Sequence, residues 1–135
     1  MKVTFSLQQR LKATEDLNLE EKVILKYFVG NIERDGTCYH EFYKGRWDEK
    51  TFWKDDSLFL HDDVMFKNQG FVDAVIDVIS TYDPFGETEI THEIWKKIGQ
   101  VIKEKDEKSK ELYQEADVWV NDVFKEYECI TILGI

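Results

Sequence analysis

The chain has 135 residues, 42% of them apolar and 14% aromatic, with a formal net charge of −10. This apolar and aromatic content excludes disordered and low-complexity classes. One domain of this size buries roughly two-thirds of its unfolded surface, so it can build a core. The acidic balance disfavours free nucleic acid and anionic membranes as partners, because both attract basic surfaces. We therefore expect a single globular domain over residues 1–135.

The first thirty residues carry helix signals. A capping-box pattern at Ser6 predicts a short helix. A stronger cap signal at Asn18 precedes apolar residues at helical spacing, which predict a helix over residues 17–30. Gly30 or Gly36 ends this helix.

Residues 37–60 combine two strand signals with an irregular middle. Residues 37–43 are rich in β-formers and residues 57–60 form a short apolar run, so both are predicted strands. The section between them has weak periodicity and is predicted to be irregular.

The second half of the chain has the clearest periodicity. Apolar residues at helical spacing predict three helices, over residues 71–82, 92–104 and 111–127. Thr91 suits the N-cap of the middle helix, and the charged residues 103–110 either continue that helix or separate it from the next. The apolar residues 129–134 predict a terminal strand. The predicted fold class is α+β, a helix-rich single domain with a small, mainly antiparallel sheet.

Two cysteines, Cys38 and Cys129, are too few for a disulfide framework in a chain this short. Both are predicted to be free, buried thiols of a reducing compartment. The opening residues lack the apolar run of a signal peptide, and no apolar stretch is long enough to span a membrane. We therefore expect a cytoplasmic protein.

No motif in the sequence indicates catalysis. There is no glycine-rich phosphate loop, no nucleophile elbow, no Cys-x-x-Cys pair and no zinc-binding His-Glu-x-x-His helix. The serines have no neighbouring histidine to activate them. We predict a protein with no catalytic residues and no cofactor.

Each of the three histidines is followed directly by an acid. Neighbouring side chains on a strand or a helix point in different directions, so adjacency alone does not build a shared site. Surface histidines are one interpretation of this pattern. The alternative is a metal-dependent enzyme that uses His40, His61, Asp62 and Asp63.

Residues 48–93 carry nearly all of the charge imbalance. This third of the chain contains three lysines and twelve acids, a net charge of −9. A surface of that sign attracts and steers a basic partner. The alternative is a structural or regulatory subunit whose acidic face is merely solvated.

Seven aromatic residues lie in the weakly periodic section: Tyr39, Phe42, Tyr43, Trp47, Phe52, Trp53 and Phe59. Either most of them form a second small core under a long loop, with Trp47 or Trp53 as the exposed exception, or they anchor a partner. Acids interleave with them, and aromatic anchors inside an acidic rim suit a cationic protein surface. The candidate partner-binding residues are Trp47, Trp53, Asp55, Asp56, Asp62 and Asp63.

The predicted helix that carries Trp95 is preceded by a distinctive segment, Tyr82-Asp83-Pro84-Phe85-Gly86-Glu87-Thr88-Glu89-Ile90. With the small size, the acidic charge and the aromatic richness, it resembles the immunity proteins of bacterial toxin–immunity pairs, including those of contact-dependent growth inhibition. The resemblance is one of overall character and carries over no site residue. It implies a cognate toxin domain, often a basic nuclease, whose phosphate-binding site this protein blocks with carboxylates.

Together these features predict an immunity or inhibitor protein that binds and neutralises a basic toxin domain, a nuclease being the expected kind. The partner is a protein, and neither direct nucleic-acid binding nor membrane binding is expected. The metal-dependent enzyme and the non-catalytic structural or regulatory subunit stay open as alternatives.

Overall fold

The computed structural model describes residues 25–134. This part of the chain forms four helices and one five-stranded antiparallel sheet, which confirms the predicted α+β class. The strands are β1 (Phe28–Val29), β2 (Tyr39–Lys44), β3 (Leu58–His61), β4 (Glu87–Thr91) and β5 (Cys129–Leu133). The helices are α1 (Asp62–Lys67), α2 (Gln69–Val78), α3 (His92–Ile102) and α4 (Glu107–Val123).

The sheet has the strand order β1-β3-β2-β5-β4, with every neighbouring pair antiparallel. The central strand β2 pairs with β3 on one side and with β5 on the other. Phe42 in β2 therefore lies opposite both Leu58 and Ile132. Because side chains alternate along a strand, this register sorts the residues of neighbouring strands onto the same two faces.

The helices cover the face of the sheet that Phe42 occupies. Phe42, Leu58 and Ile132 belong to one buried cluster with side chains from α2, α3 and α4. The largest fully buried side chains of these helices are Phe71, Trp95 and Trp119. The apolar stripes predicted from periodicity thus face the core.

The helix predicted over residues 92–104 is confirmed as α3, and its cap is the expected one. The Oγ1 atom of Thr91 accepts a hydrogen bond from the Ile94 N–H at 3.3 Å. The charged section that follows separates two helices, because Asp106 is the N-cap of α4 and accepts from the Ser109 N–H at 3.1 Å. The last predicted helix, over residues 111–127, therefore begins earlier, at Glu107, and it also ends earlier, at Val123.

The helix predicted over residues 71–82 is confirmed as α2 but ends at Val78. The backbone of Ile79 is already extended, with φ −119° and ψ 91°. The turn that follows returns Tyr82 to the core, where its hydroxyl lies 3.9 Å from the Sδ atom of Met65. The helix ends before Tyr82 because a turn, and not a further helical turn, brings the Tyr82 ring into the core.

Residues 1–24 lie outside the described residues, so the signals at Ser6 and Asn18 are not tested. The helix predicted over residues 17–30 is wrong for residues 25–30, which are not helical. Phe28–Val29 forms β1 and pairs with β3. The backbone N–H groups of Lys26, Tyr27 and Phe28 each donate to the Glu115 carboxylate at 2.9 Å. These bonds hold the segment extended on α4 and take the place of helical ones.

Both cysteines are free thiols, as predicted. Cys129 is buried in β5, but Cys38 is exposed. The prediction of a buried thiol is wrong for Cys38, because this residue precedes the first residue of β2 and its side chain is exposed to solvent. Among the helices of residues 25–134, none has both the length and the apolar character needed to cross a membrane.

Truncation of Phe42 tests this description of the core. Phe42 is fully buried between β3 and β5, so Phe42→Ala is expected to lower the free energy of unfolding by about 3–5 kcal/mol. The matched control is Phe85→Ala, because the Phe85 side chain is 61% exposed, and its cost should be within about 1 kcal/mol. Urea denaturation measures both values. Equal losses in the two variants would contradict the assigned core.

Candidate functional site

The second face of the sheet is covered by the β2–β3 loop, residues 45–57. Tyr39, Tyr43 and Phe59 point to this face and are buried. Trp53 from the loop stacks on Phe59, with ring centroids 5.8 Å apart and an interplanar angle of 24°. Most of the aromatic cluster therefore forms a second small core under a long loop, as one of the two interpretations predicted.

A buried carboxylate, that of Glu41, holds the loop in place. Glu41 is 2% exposed and lies in β2 on the loop side of the sheet. Its Oε1 accepts the Trp53 N–H at 2.7 Å, and its Oε2 accepts the Lys54 N–H at 3.0 Å and the Ser57 hydroxyl at 2.6 Å. These three donors replace the water that the charge loses on burial.

The two candidate anchors Trp47 and Trp53 are half-buried, so the expectation that one of them is exposed is wrong. The guanidinium of Arg34 lies 4.0 Å from the Trp53 ring centroid and covers that ring. Trp47 donates its Nε1–H to the Thr51 carbonyl at 2.8 Å and packs against Phe52. Phe52, at 49% exposure, is the exposed aromatic of this loop.

The candidate carboxylates of the same loop already have partners within the fold. Asp55 Oδ1 accepts from the Asn31 Nδ2 at 3.0 Å. Asp56 lies 3.8 Å from the Lys44 ammonium. Both contacts connect the loop to the rest of the domain, so these acids have a structural role whether or not they meet a partner.

An apolar cavity of about 440 Å³ opens beside this second core. Its walls include Phe52, Trp53 and Leu133. Its carboxylate, that of Glu41, already accepts three hydrogen bonds, so the cavity offers chiefly apolar surface.

Asp62 and Asp63 lie elsewhere, at the other end of β3 and in the first turn of α1. Asp62 follows Ser57 by five positions along extended chain, a span of about 16 Å. The six candidate residues therefore fall into two groups, the four from the loop and the two aspartates. The sequence placed them near one another along the chain, and no hydrogen bond or ion pair of residues 25–134 joins the two groups.

Asp62 is bound by a buried histidine. The Nε2 of His40 lies 2.8 Å from Asp62 Oδ1, and the His40 side chain is fully buried. Burial lowers the pKa of His40 below its ordinary value, although the bond to Asp62 and the charge of that residue act in the opposite direction. A carboxylate can only accept, so the neutral ring carries its proton on Nε2 and donates it to Asp62.

The other histidine of the proposed metal set is also used locally. The Nδ1 of His61 accepts the Asp63 N–H at 3.0 Å and caps α1. No group of three or more metal-ligating side chains with suitable geometry occurs among residues 25–134. The four residues of the proposed metal set, His40, His61, Asp62 and Asp63, are thus neighbours in space. Their contacts, however, are the cap that His61 forms at the start of α1 and the buried hydrogen bond between His40 and Asp62.

Two exposed aromatic side chains that the sequence interpretation passed over lie beside Asp62. Phe66 and Phe85 are 39% and 61% exposed and stack with ring centroids 6.3 Å apart. The Phe66 ring also contacts His40 edge-on at 6.4 Å. An Asp-Pro turn signal at residues 83–84 marks the exposed turn that carries Phe85, and this signal could have found it.

Four acids lie on the two chain segments that carry this aromatic pair. Asp62 and Asp63 precede Phe66 by four and three residues on α1, and helical spacing places them on the same side. Asp83 accepts the Phe85 N–H at 2.9 Å, and Glu87 begins β4 after the same turn. We name this region the sheet-end surface; its residues are Asp62, Asp63, Phe66, Asp83, Phe85 and Glu87.

Comparisons with protein-family models, with curated proteins and with solved structures give no match for this chain.

The buried His40 predicts a pH dependence of stability. Its lowered pKa means that the unfolded chain binds a proton more readily, so the free energy of unfolding falls as the pH drops below about 6.5. His40→Gln keeps an N–H donor for Asp62 but cannot titrate, so the loss between pH 7 and pH 5 should become smaller. Urea denaturation at several pH values measures the slope.

The matched control for this experiment is His92→Gln, because His92 is exposed at the start of α3. This variant should keep the slope of the natural sequence. If His40→Gln leaves the slope unchanged as well, His40 is not the group that couples stability to pH.

Proposed function

We propose that this protein binds and neutralises a basic toxin domain of the nuclease kind, as an immunity protein does, and that it acts in the cytoplasm. The observation that carries the proposal is the sheet-end surface, where two segments that contain four acids bring together an exposed, stacked aromatic pair. Exposed aromatic side chains in a polar rim are typical of protein-binding sites, since they bury much area at little entropic cost.

The charge of the surface supports a cationic partner. The segments that form it, residues 62–67 and 83–87, contain four acids and one lysine, Lys67. A field of this sign raises the association rate of a positively charged protein. It also lets carboxylates take the place of nucleic-acid phosphates at the active site of a basic nuclease.

The structure changes the residues that we assign to the interface. Trp53 lies under Arg34 and over Phe59, so its ring serves the second core. The proposal therefore keeps Asp62 and Asp63 and gives the anchoring role to Phe66 and Phe85. The roles of Trp47, Asp55 and Asp56 at an interface stay predictions.

The proposed function predicts that a gene beside this one encodes a basic toxin domain, and that purified domain is the partner in the test. Stopped-flow measurements across a salt series should show association that slows as salt rises. Phe85→Ala should weaken binding about thirtyfold or more through faster dissociation, as expected for an anchor worth about 2 kcal/mol. Asp63→Lys should chiefly slow association.

The matched control is Glu128→Lys, the same charge reversal at the opposite end of β5. Glu128 is exposed and lies six residues from Gly134, which meets the Phe85 turn, so the two sites are about 20 Å apart. Equal effects of Asp63→Lys and Glu128→Lys would show that the sheet end is not the interface. A toxin domain that stays fully active with excess protein would contradict the immunity function itself.

A further inference from the structure

The Asp62 carboxylate is fixed before any partner arrives. His40 donates to its Oδ1 at 2.8 Å from a fully buried position, and the Asp62 backbone N–H donates to the Cys38 carbonyl at 2.9 Å. The side chain of Asp62 nevertheless stays 27% exposed. One carboxylate oxygen is therefore held by the protein while the side chain remains accessible to a ligand.

The charge of Asp62 is not cancelled within the described part of the chain. Its one ionisable contact there is His40, and no lysine or arginine of residues 25–134 lies within ion-pair distance of it. Burial lowers the pKa of His40 and so favours the neutral ring, which adds no positive charge beside the Asp62 carboxylate. Its neighbour Asp63 is 75% exposed and adds a second charge.

An aromatic platform adjoins this carboxylate. Phe66 follows Asp62 by four residues on α1, so their Cβ atoms are about 5–6 Å apart. Phe85 extends the platform outward through its stacking on Phe66. A carboxylate fixed beside exposed aromatic faces offers two contacts that a guanidinium makes together, a charged hydrogen bond in its plane and stacking on its face.

We propose that the sheet-end surface recognises an arginine side chain of the basic partner, with Asp62 as the carboxylate that accepts its N–H groups and Phe66 and Phe85 as the stacking platform. The inference rests on the proposed function and names what the partner must present. Lysine fits less well, because its ammonium is a hydrated point charge that neither stacks nor forms two parallel hydrogen bonds. His40 acts as a positioning residue for Asp62.

The protein shows the same mode of arginine binding elsewhere in its own fold. The Arg34 guanidinium stacks on Trp53 at 4.0 Å, and its Nε donates to Asn31 Oδ1 at 2.7 Å. A planar cation on an aromatic ring, with its edge bound by an oxygen, is thus an arrangement that this domain already contains.

The test uses two synthetic peptides of equal charge, hexa-arginine and hexa-lysine, titrated into the whole protein by isothermal calorimetry. We expect hexa-arginine to bind about tenfold more tightly than hexa-lysine. Asp62→Asn and Phe85→Ala should each bring this ratio close to one. Glu128→Gln, which removes the same charge as Asp62→Asn from the far end of β5, should leave the ratio unchanged.

The role of His40 has its own readout. His40→Gln keeps a donor for Asp62 and should preserve the preference for arginine, whereas His40→Leu removes the donor and should reduce it. Circular dichroism confirms that each variant is folded before its ratio is compared. A merely structural role would give both variants the same ratio.

Equal affinity for the two peptides would overturn the arginine inference, and so would equal losses in Asp62→Asn and Glu128→Gln. Either result leaves the proposed function standing if the basic toxin domain is still bound and neutralised. Arginine preference without binding of that domain would instead contradict the proposed function while supporting the site.

Discussion

The alternation of side chains along β2 determines how the two layers of this protein are built. This central strand pairs on both edges, so its register fixes which residues of β3 and β5 share each face. Phe42 points to the helices and joins the main core, whereas Glu41 points to the β2–β3 loop. A shift of one residue would exchange these two side chains and bury a carboxylate among the helices without its three donors.

The same alternation explains why most of the aromatic side chains in and under the β2–β3 loop pack on the sheet. Glu41 binds the loop backbone at Trp53 and Lys54, and this holds the Trp53 ring on Phe59. Arg34 then covers the outer face of that ring. The Trp53 ring is thus used for packing, and an exposed, acid-flanked aromatic pair, Phe66 and Phe85, occurs at the end of the sheet, where α1 and the turn before β4 meet.

The sequence predicted those elements whose burial follows a simple period. Residues of α3 and α4 repeat apolar side chains at helical spacing, and the cap at Thr91 defines the start of α3. β5 was found as a short apolar run, and all five of its residues are buried. The start of α4 after Asp106 was not predicted. β4 was missed because an edge strand buries few residues, here only Thr88 and Ile90, and its sequence is largely polar. α1 was missed because it has six residues and a histidine cap, which is an unusual start signal.

The candidate site was only partly predictable for a related reason. Charge and aromatic content are properties of the chain, so the sequence could identify Asp62 and Asp63 as members of an acidic segment. Which aromatic rings stay exposed depends on long-range contacts. The stacking of Phe66 on Phe85 joins residues nineteen positions apart, and the Arg34 contact that covers Trp53 joins residues of equal separation. No local pattern predicts either contact.

We propose that a basic partner meets the sheet end and not the β2–β3 loop. Titration of the isotope-labelled protein with the basic toxin domain, followed by the amide signals in nuclear magnetic resonance spectra, tests this claim most directly. Binding at the sheet end should give the largest shifts at residues 62–66, at residues 83–87 and at Gly134, with small shifts at residues 47–56. Shifts concentrated at residues 47–56, with the sheet end unchanged, would contradict it.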